Sequence, residues 1–185
     1  MTRSRQLKEW GWFYNIMKLI MIMAVTVDGK IAKDSNHFPD WTSKEDKQFF
    51  AKESKKAGVV VMGGKTFDTF PAPLKDRLNV VVTIDNGYQD IKGSVKVYYK
   101  KTPKFIKNNL EKMGYKKAIL GGGAFINGLF LKAKLVDEII IIIAPKLFGK
   151  GLGLIEGFDF DYNLKLIETY KINNDSVLLK YKILY

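Results

Sequence analysis

The chain has 185 residues, 46% of them hydrophobic and 27% charged, which fits one globular domain with a full apolar core. It has no cysteine and a single histidine, His37, which argues against disulfides, thiolate or histidine-built metal centres and a Ser-His-Asp triad; no metal is expected. The formal charge is +12, but the basic residues are scattered lysines and the arginines are only Arg3, Arg5 and Arg77, a pattern that disfavours a nucleic-acid reader and makes a solvated lysine surface the default reading, with a positive field that would still help recruit an anionic cofactor or substrate.

In chain order, residues 1–16 read as an N-terminal extension and residues 17–185 as a single domain. Arg3, Arg5 and Lys8 before the apolar run Trp10–Val25 have the outline of a signal peptide. Lys18 interrupts the run, however, and no small-residue cleavage site follows. The run is also too short for a membrane span, so no membrane partner and a cytoplasmic location are expected. Met17–Thr26 is predicted as the first strand, Asp28–Asp40 as a polar loop, Ser43–Lys56 as a helix and Gly58–Met62 as a strand. A glycine turn with a short helix covers Gly63–Phe70. Leu78–Thr83 and Val95–Tyr98 are strands, and Thr102–Met113 is a helix with Pro103 in its first turn. Ala118–Leu120, Ala124–Leu131 and Glu138–Ile143 follow as strand, helix and strand. Leu164–Ile172 and Val177–Leu184 form a hairpin across Asn173, Asn174 and Asp175. Strands separated by helices imply an α/β fold with a mostly parallel sheet covered on both faces, closed by an antiparallel hairpin.

Two glycine turns follow strands, Gly121-Gly122-Gly123 and Gly63-Gly64-Lys65-Thr66. In a parallel sheet both fall at the carboxyl edge, where ligands bind, and each brings backbone N–H groups close to an anion such as a phosphate. The second lacks full phosphate-loop spacing, so a nucleoside triphosphatase is not indicated. Asp46 is the candidate catalytic carboxylate, since Phe49 and Phe50 share its helical face and would desolvate it. The competing reading is a capping box, Ser43-Lys44-Glu45-Asp46, in which the acid serves only the helix end. Arg77 is either a two-pronged carboxylate donor or one half of a surface ion pair with Asp76 or Asp85.

Together these pieces resemble the dihydrofolate reductase-like superfamily, which includes riboflavin-pathway pyrimidine reductases. The resemblance covers about residues 17–184 and rests on MAVTVDGKIA (23–32), WTSKEDKQFF (41–50), VVVMGGKTF (59–67), AILGGGAFINGLF (118–130), LVDEI (135–139) and IAPKLFGKG (143–151). It implies a three-layer fold and an NADPH-dependent oxidoreductase acting on a pterin or pyrimidine, as a monomer or homodimer. DGKIA, the triple-glycine segment, LVDE and IAPKLFGKG look most like the pyrimidine reductases. The middle of the chain is more similar to dihydrofolate reductases: Trp41 precedes Asp46 by five residues, and the short PAPLKDR segment carries Arg77 at the spacing of the arginine that holds the folate glutamate tail. Reduction of 7,8-dihydrofolate is therefore the expected activity, with the flavin-pathway reductase as the alternative and a non-catalytic nucleotide- or nucleic-acid-binding module as a third. By the same resemblance, Asp46 is catalytic. Ile22, Met23, Phe50, Phe70, Leu74, Arg77 and Leu120 contact substrate. Ala24, Ile31, Gly63, Gly64, Lys65, Thr66, Thr83, Gly121, Gly122, Gly123, Ala124 and Phe125 hold NADPH. The chain departs from the folate enzymes at Gly64, where they usually carry an arginine for the cofactor phosphate, and at Ile126, where many carry a tyrosine.

Overall fold

A computed structural model describes residues 17–185 of the chain; the expected N-terminal extension, residues 1–16, lies outside the described residues. An eight-stranded sheet forms the centre, built from β1 (Lys18–Thr26), β3 (Val59–Gly63), β4 (Leu78–Thr83), β5 (Val95–Tyr99), β6 (Lys117–Leu120), β7 (Glu138–Ala144), β9 (Asn163–Lys171) and β10 (Val177–Leu184). The spatial order is β5-β4-β3-β6-β1-β7-β10-β9. The first five contacts along that order are parallel, and β10 pairs antiparallel with both β7 and β9. The predicted mostly parallel sheet with a closing hairpin is the observed one.

Two short strands were not anticipated. Lys30–Ala32 (β2) pairs antiparallel with Leu152–Gly153 (β8) in a separate ribbon. The polar loop expected over Asp28–Asp40 is therefore anchored near its start. Three-residue and two-residue strands carry too little periodicity to stand out in a sequence.

The apolar runs read as continuous because the inner strands are buried on both faces, and strand alternation sorts their side chains between two cores. Leu19, Met21, Val59, Val61 and Leu120 face one side, packing with Ile106 and Leu110 of α3 (Pro103–Lys112) and with Phe130 and Leu131 of α4 (Ala124–Lys132). Ile20, Ile22, Val60, Met62 and Ile119 face the other, against Phe49 and Phe50 of α1 (Lys44–Ala57) and Phe67 of α2 (Gly64–Asp68). Each such residue, when fully buried, contributes about 1.5–3 kcal/mol of transfer free energy.

Several family-like segments turn out to be structural. The Asp28 carboxylate accepts from Thr26 Oγ1 (2.5 Å) and from the backbone N–H groups of Phe148 (3.1 Å) and Gly149 (2.8 Å). This joins DGKIA to IAPKLFGKG. The hydrogen bond from Thr26, opposed by desolvation and reinforced by Gly149 and Phe148, lowers the Asp28 pKa to about 2. In LVDEI, Asp137 accepts from Leu19 N–H at 2.8 Å. Glu138 lies between Lys18 and Lys180. Burial alone would raise its pKa, but the two lysines outweigh that and hold it below its usual value. Both acids fix the start of β7 against β1, far from the strands' carboxyl ends.

Candidate active site

The site begins with a helix end. Ser43 caps α1 in extended conformation, and its hydroxyl accepts from Asp46 N–H at 3.1 Å. The serine half of the capping box is thus present, and the same geometry turns the Asp46 side chain inward. Asp46 is only 8% exposed and is the one buried charged residue of α1, although it sits in the helix's first turn. Burial raises its pKa, with the Thr42 hydroxyl and the Lys47 charge offsetting part of the rise. The two readings of Asp46 are therefore compatible: its N–H serves the cap, and its carboxylate faces the cleft.

That cleft has a volume of about 270 Å³ and lies along the carboxyl end of β1. Ile22, Met23, Ala24, Ile31, Asp46, Phe50, Phe70, Leu74, Arg77 and Gly121 all line it. Trp41, Pro39, Thr42, Lys47 and Ala51 line it as well. The indole N–H of Trp41 is buried with no acceptor among the described residues, leaving a donor available to a ligand. The ring is held edge-on to Phe148 at 5.1 Å, so the anchored 148–149 segment also positions the cleft's tryptophan. Leu120 is the exception among the expected substrate contacts. It is fully buried and faces the α3/α4 core on the opposite side of the sheet. Strand alternation at β6 gives the cleft side to the neighbouring positions instead.

Arg77 closes one end of the cleft. Its Nε donates to Lys75 O at 2.9 Å, and Nη1 reaches Ser54 Oγ and, at 3.5 Å, Ala51 O. All three acceptors are neutral. The alternative reading, an ion pair with Asp76 or Asp85, does not form: Asp76 pairs with Lys55 at 2.7 Å, and Asp85 caps its own loop, accepting from Gly87 N–H at 2.8 Å. Burial lowers the Arg77 pKa, and the Asp76 charge pushes it back up. The loop carrying Arg77 is fixed by Asn79, a fully buried residue of β4. Its Nδ2 donates to Leu74 O (2.9 Å) and Arg77 O (3.3 Å), and its Oδ1 accepts from Leu74 N–H (3.0 Å). A polar residue inside the apolar run LNVVVT was the available signal for this positioning role. A larger open groove of about 780 Å³ lies at the amino ends of β3–β6 and shares only Leu74 and Arg77 with the cleft.

The two glycine turns meet, as their shared sheet edge required. Gly63 N–H donates to Gly122 O at 3.0 Å, and Gly123 N–H donates to Thr66 Oγ1 at 2.9 Å. Gly122 has φ +108°, a conformation side chains rarely adopt, and a Cβ there would stand 3.0 Å from Met23 Cε. Thr83 ends the adjacent strand β4, its hydroxyl accepting from Asp85 N–H at 2.9 Å. Ala124 is buried and Phe125 is exposed, its ring 5.1 Å from that of Phe158. Lys65 is exposed on the same turn. The site therefore combines an aromatic-walled cleft, one buried acid, one arginine without a carboxylate partner and a glycine-built floor beside it. Among the described residues no cluster of acids and histidines could hold a metal, and no helix is long and apolar enough to cross a membrane.

Comparison with known proteins gives three findings. A family model described as dihydrofolate reductase matches residues 18–143. An uncharacterized protein of Bacillus subtilis, YwjB, is 26% identical over 161 residues, covering 82% of this chain and 90% of its own length. Among solved structures, the fold is similar to a diaminohydroxyphosphoribosylaminopyrimidine deaminase/5-amino-6-(5-phosphoribosylamino)uracil reductase of Thermotoga maritima, with a TM-score of 0.76 and 17% identity over 91% of this chain and 57% of that one. It is also similar to RibD of Acinetobacter baumannii (0.80, 16%, 92% and 59%) and to a dihydrofolate reductase of Enterococcus faecalis complexed with NADP(H) (0.71, 21%, 90% and 96%). The chain thus spans a little over half the length of the first two and nearly all of the third.

Proposed function

The chain belongs to the dihydrofolate reductase family, and on that premise we propose that it is an NADPH-dependent oxidoreductase that reduces 7,8-dihydrofolate to tetrahydrofolate. The observation that carries the choice of substrate is the placement of Asp46 and Arg77 in one cleft. A pterin ring has a polar edge for a buried acid, and a folate tail ends in carboxylates for an arginine that lacks a carboxylate partner.

Bound NADPH supplies the hydride. Asp46, whose pKa burial raises, hydrogen-bonds the pterin edge in this reading and favours protonation of the ring nitrogen next to the carbon being reduced. Phe50 and Phe70 clamp the ring, and Trp41 offers its unpaired indole N–H. Met23, Ala24 and Ile31 separate the reacting faces from water. The paired glycine turns and Thr66 support the coenzyme, with Lys65 as the cation on that edge.

Reduction of a phosphoribosylamino-pyrimidine is a second reading, favoured by the Asp28 anchor between DGKIA and IAPKLFGKG and by the fold similarity to the bifunctional reductases. A purified-protein assay of NADPH oxidation with each substrate separates the two. Turnover of dihydrofolate that is lost in Asp46→Asn supports the first reading. Turnover of the pyrimidine alone would replace it.

A further inference from the structure

The cleft carries a second cation that the reduction as described leaves unused. The charged residues that line it are Asp46, Lys47 and Arg77, two positive charges against one negative. Asp46 is buried, whereas Lys47 follows it and is exposed. The Lys47 ammonium pairs with no acid among the described residues. The other acids near the mouth of the cleft are engaged elsewhere: Glu45 accepts from Asn173 Nδ2 at 3.2 Å, Asp40 lies 3.8 Å from His37 Nε2, and Asp76 pairs with Lys55 at 2.7 Å. Lys33 stands over the Phe148 ring.

Helix geometry sets the two cations in line. Lys47, Ala51 and Ser54 are spaced i, i+4 and i+7, which is one stripe of α1. Arg77 docks its guanidinium at the far end of that stripe, against Ala51 O at 3.5 Å and Ser54 Oγ. Along the helix axis Lys47 lies about 6 Å from Ala51 and about 10 Å from Ser54, at the α-helical rise per residue. A flexible lysine stem at one end and a planar fork at the other can grip two anionic groups of one ligand whose ring lies at Asp46. A ligand with one such group, or none, leaves a cation of the cleft without a partner.

We propose that Lys47 is a specificity-determining residue that, together with Arg77, selects a ligand carrying two negative charges beyond its ring. Two sources share this chemistry, a dicarboxylate tail and a phosphate monoester. The separation along the stripe favours the dicarboxylate, whose charges sit on separate carbons, over the phosphate, whose charges sit on one phosphorus. The proposal rests on the reductase reading for the ring at Asp46.

The test is isothermal titration of the full chain as wild type, Lys47→Gln and Lys47→Arg, with thermal melts confirming that each folds. The ligands are dihydrofolate and its α- and γ-monoamides, each short of one carboxylate charge. The readout is the affinity ratio of dihydrofolate to each monoamide, which cancels any effect of Lys47 on the ring through the neighbouring Asp46. Lys47→Gln is expected to lower one of the two ratios by about three- to fivefold at low salt and by less at high salt, with Lys47→Arg retaining it. Ratios that stay unchanged in Lys47→Gln, or a change that salt does not diminish, overturn this proposal and leave the reductase reading intact. Binding of the phosphoribosylamino-pyrimidine and not of dihydrofolate overturns the folate reading. The dianion proposal then stands if Lys47→Gln weakens that ligand and spares its dephosphorylated ribosylamino form, and falls if both or neither are weakened. Binding of neither ligand class overturns both.

Discussion

Replacing Arg77 with leucine removes the one arginine of the described residues from the end of the cleft. Three contacts go with it, to Lys75 O, Ala51 O and Ser54 Oγ, all neutral and none indispensable. The buried Ser54 hydroxyl keeps its own bond to Phe50 O at 2.5 Å, so no donor is stranded, and the stability cost is about 1 kcal/mol. The larger effect falls on the ligand. Nη2 donates to no described residue, so one arm of the guanidinium is free for a carboxylate. A hydrogen bond to a charged group contributes about 1.5–3 kcal/mol, which is about a ten- to hundredfold loss of affinity. The assay compares binding of dihydrofolate with that of its dihydropteroate core, which lacks the glutamate, in wild type and Arg77→Leu. The loss is expected for dihydrofolate and absent for the truncated ligand. An equal loss for both ligands, or none for either, would refute the assignment of Arg77 to the tail.

Asp46→Asn should reduce dihydrofolate turnover by about 10²–10⁴-fold while raising the melting temperature at pH 8. The sign follows from the raised pKa: the folded state holds its proton above the ordinary aspartate value of 3.8, so wild-type stability falls as pH rises through the folded pKa. The advantage of the variant should shrink as pH drops toward 3.8, and a constant difference across pH would count against burial as the cause. Gly122→Ala forces a side chain into φ +108° against Met23, at a cost of about 1–3 kcal/mol, readable by urea denaturation together with weaker NADPH binding. Thr66→Val strips Gly123 N–H of its acceptor and should cost about 1 kcal/mol and loosen coenzyme binding, with Thr66→Ser retaining both. Asp28→Ala releases Phe148 and Gly149, and limited proteolysis should then cut residues 146–151 faster than in wild type. In wild type the Asp28 contribution is full above the unfolded value of 3.8 and is lost as pH falls through about 2, so the proteolysis difference should vanish in strong acid.

The sheet and its carboxyl edge follow from local residue patterns alone. Unbroken runs such as GVVVM and EIIIII can only be strands buried on both faces, and helices between them force parallel pairing, so the turns at Gly63 and Gly121 had to share an edge. Asp46 and Arg77 were legible as candidates because each is a rare residue type in its setting. Their roles were not, since a cap and a buried acid share one local pattern, and an arginine beside Asp76 has the pattern of an ion pair. Long-range packing resolves them. It turns the Asp46 side chain of α1 inward, gives Asp76 to Lys55, and turns Leu120 to the far core. It also brings Asn79 under the Arg77 loop, Asp28 to Phe148, and Tyr88 over Gly64. The physical reason is common to all of them. Burial, charge pairing and steric exclusion depend on which residues distant in the chain become neighbours, and local spacing carries no information about that.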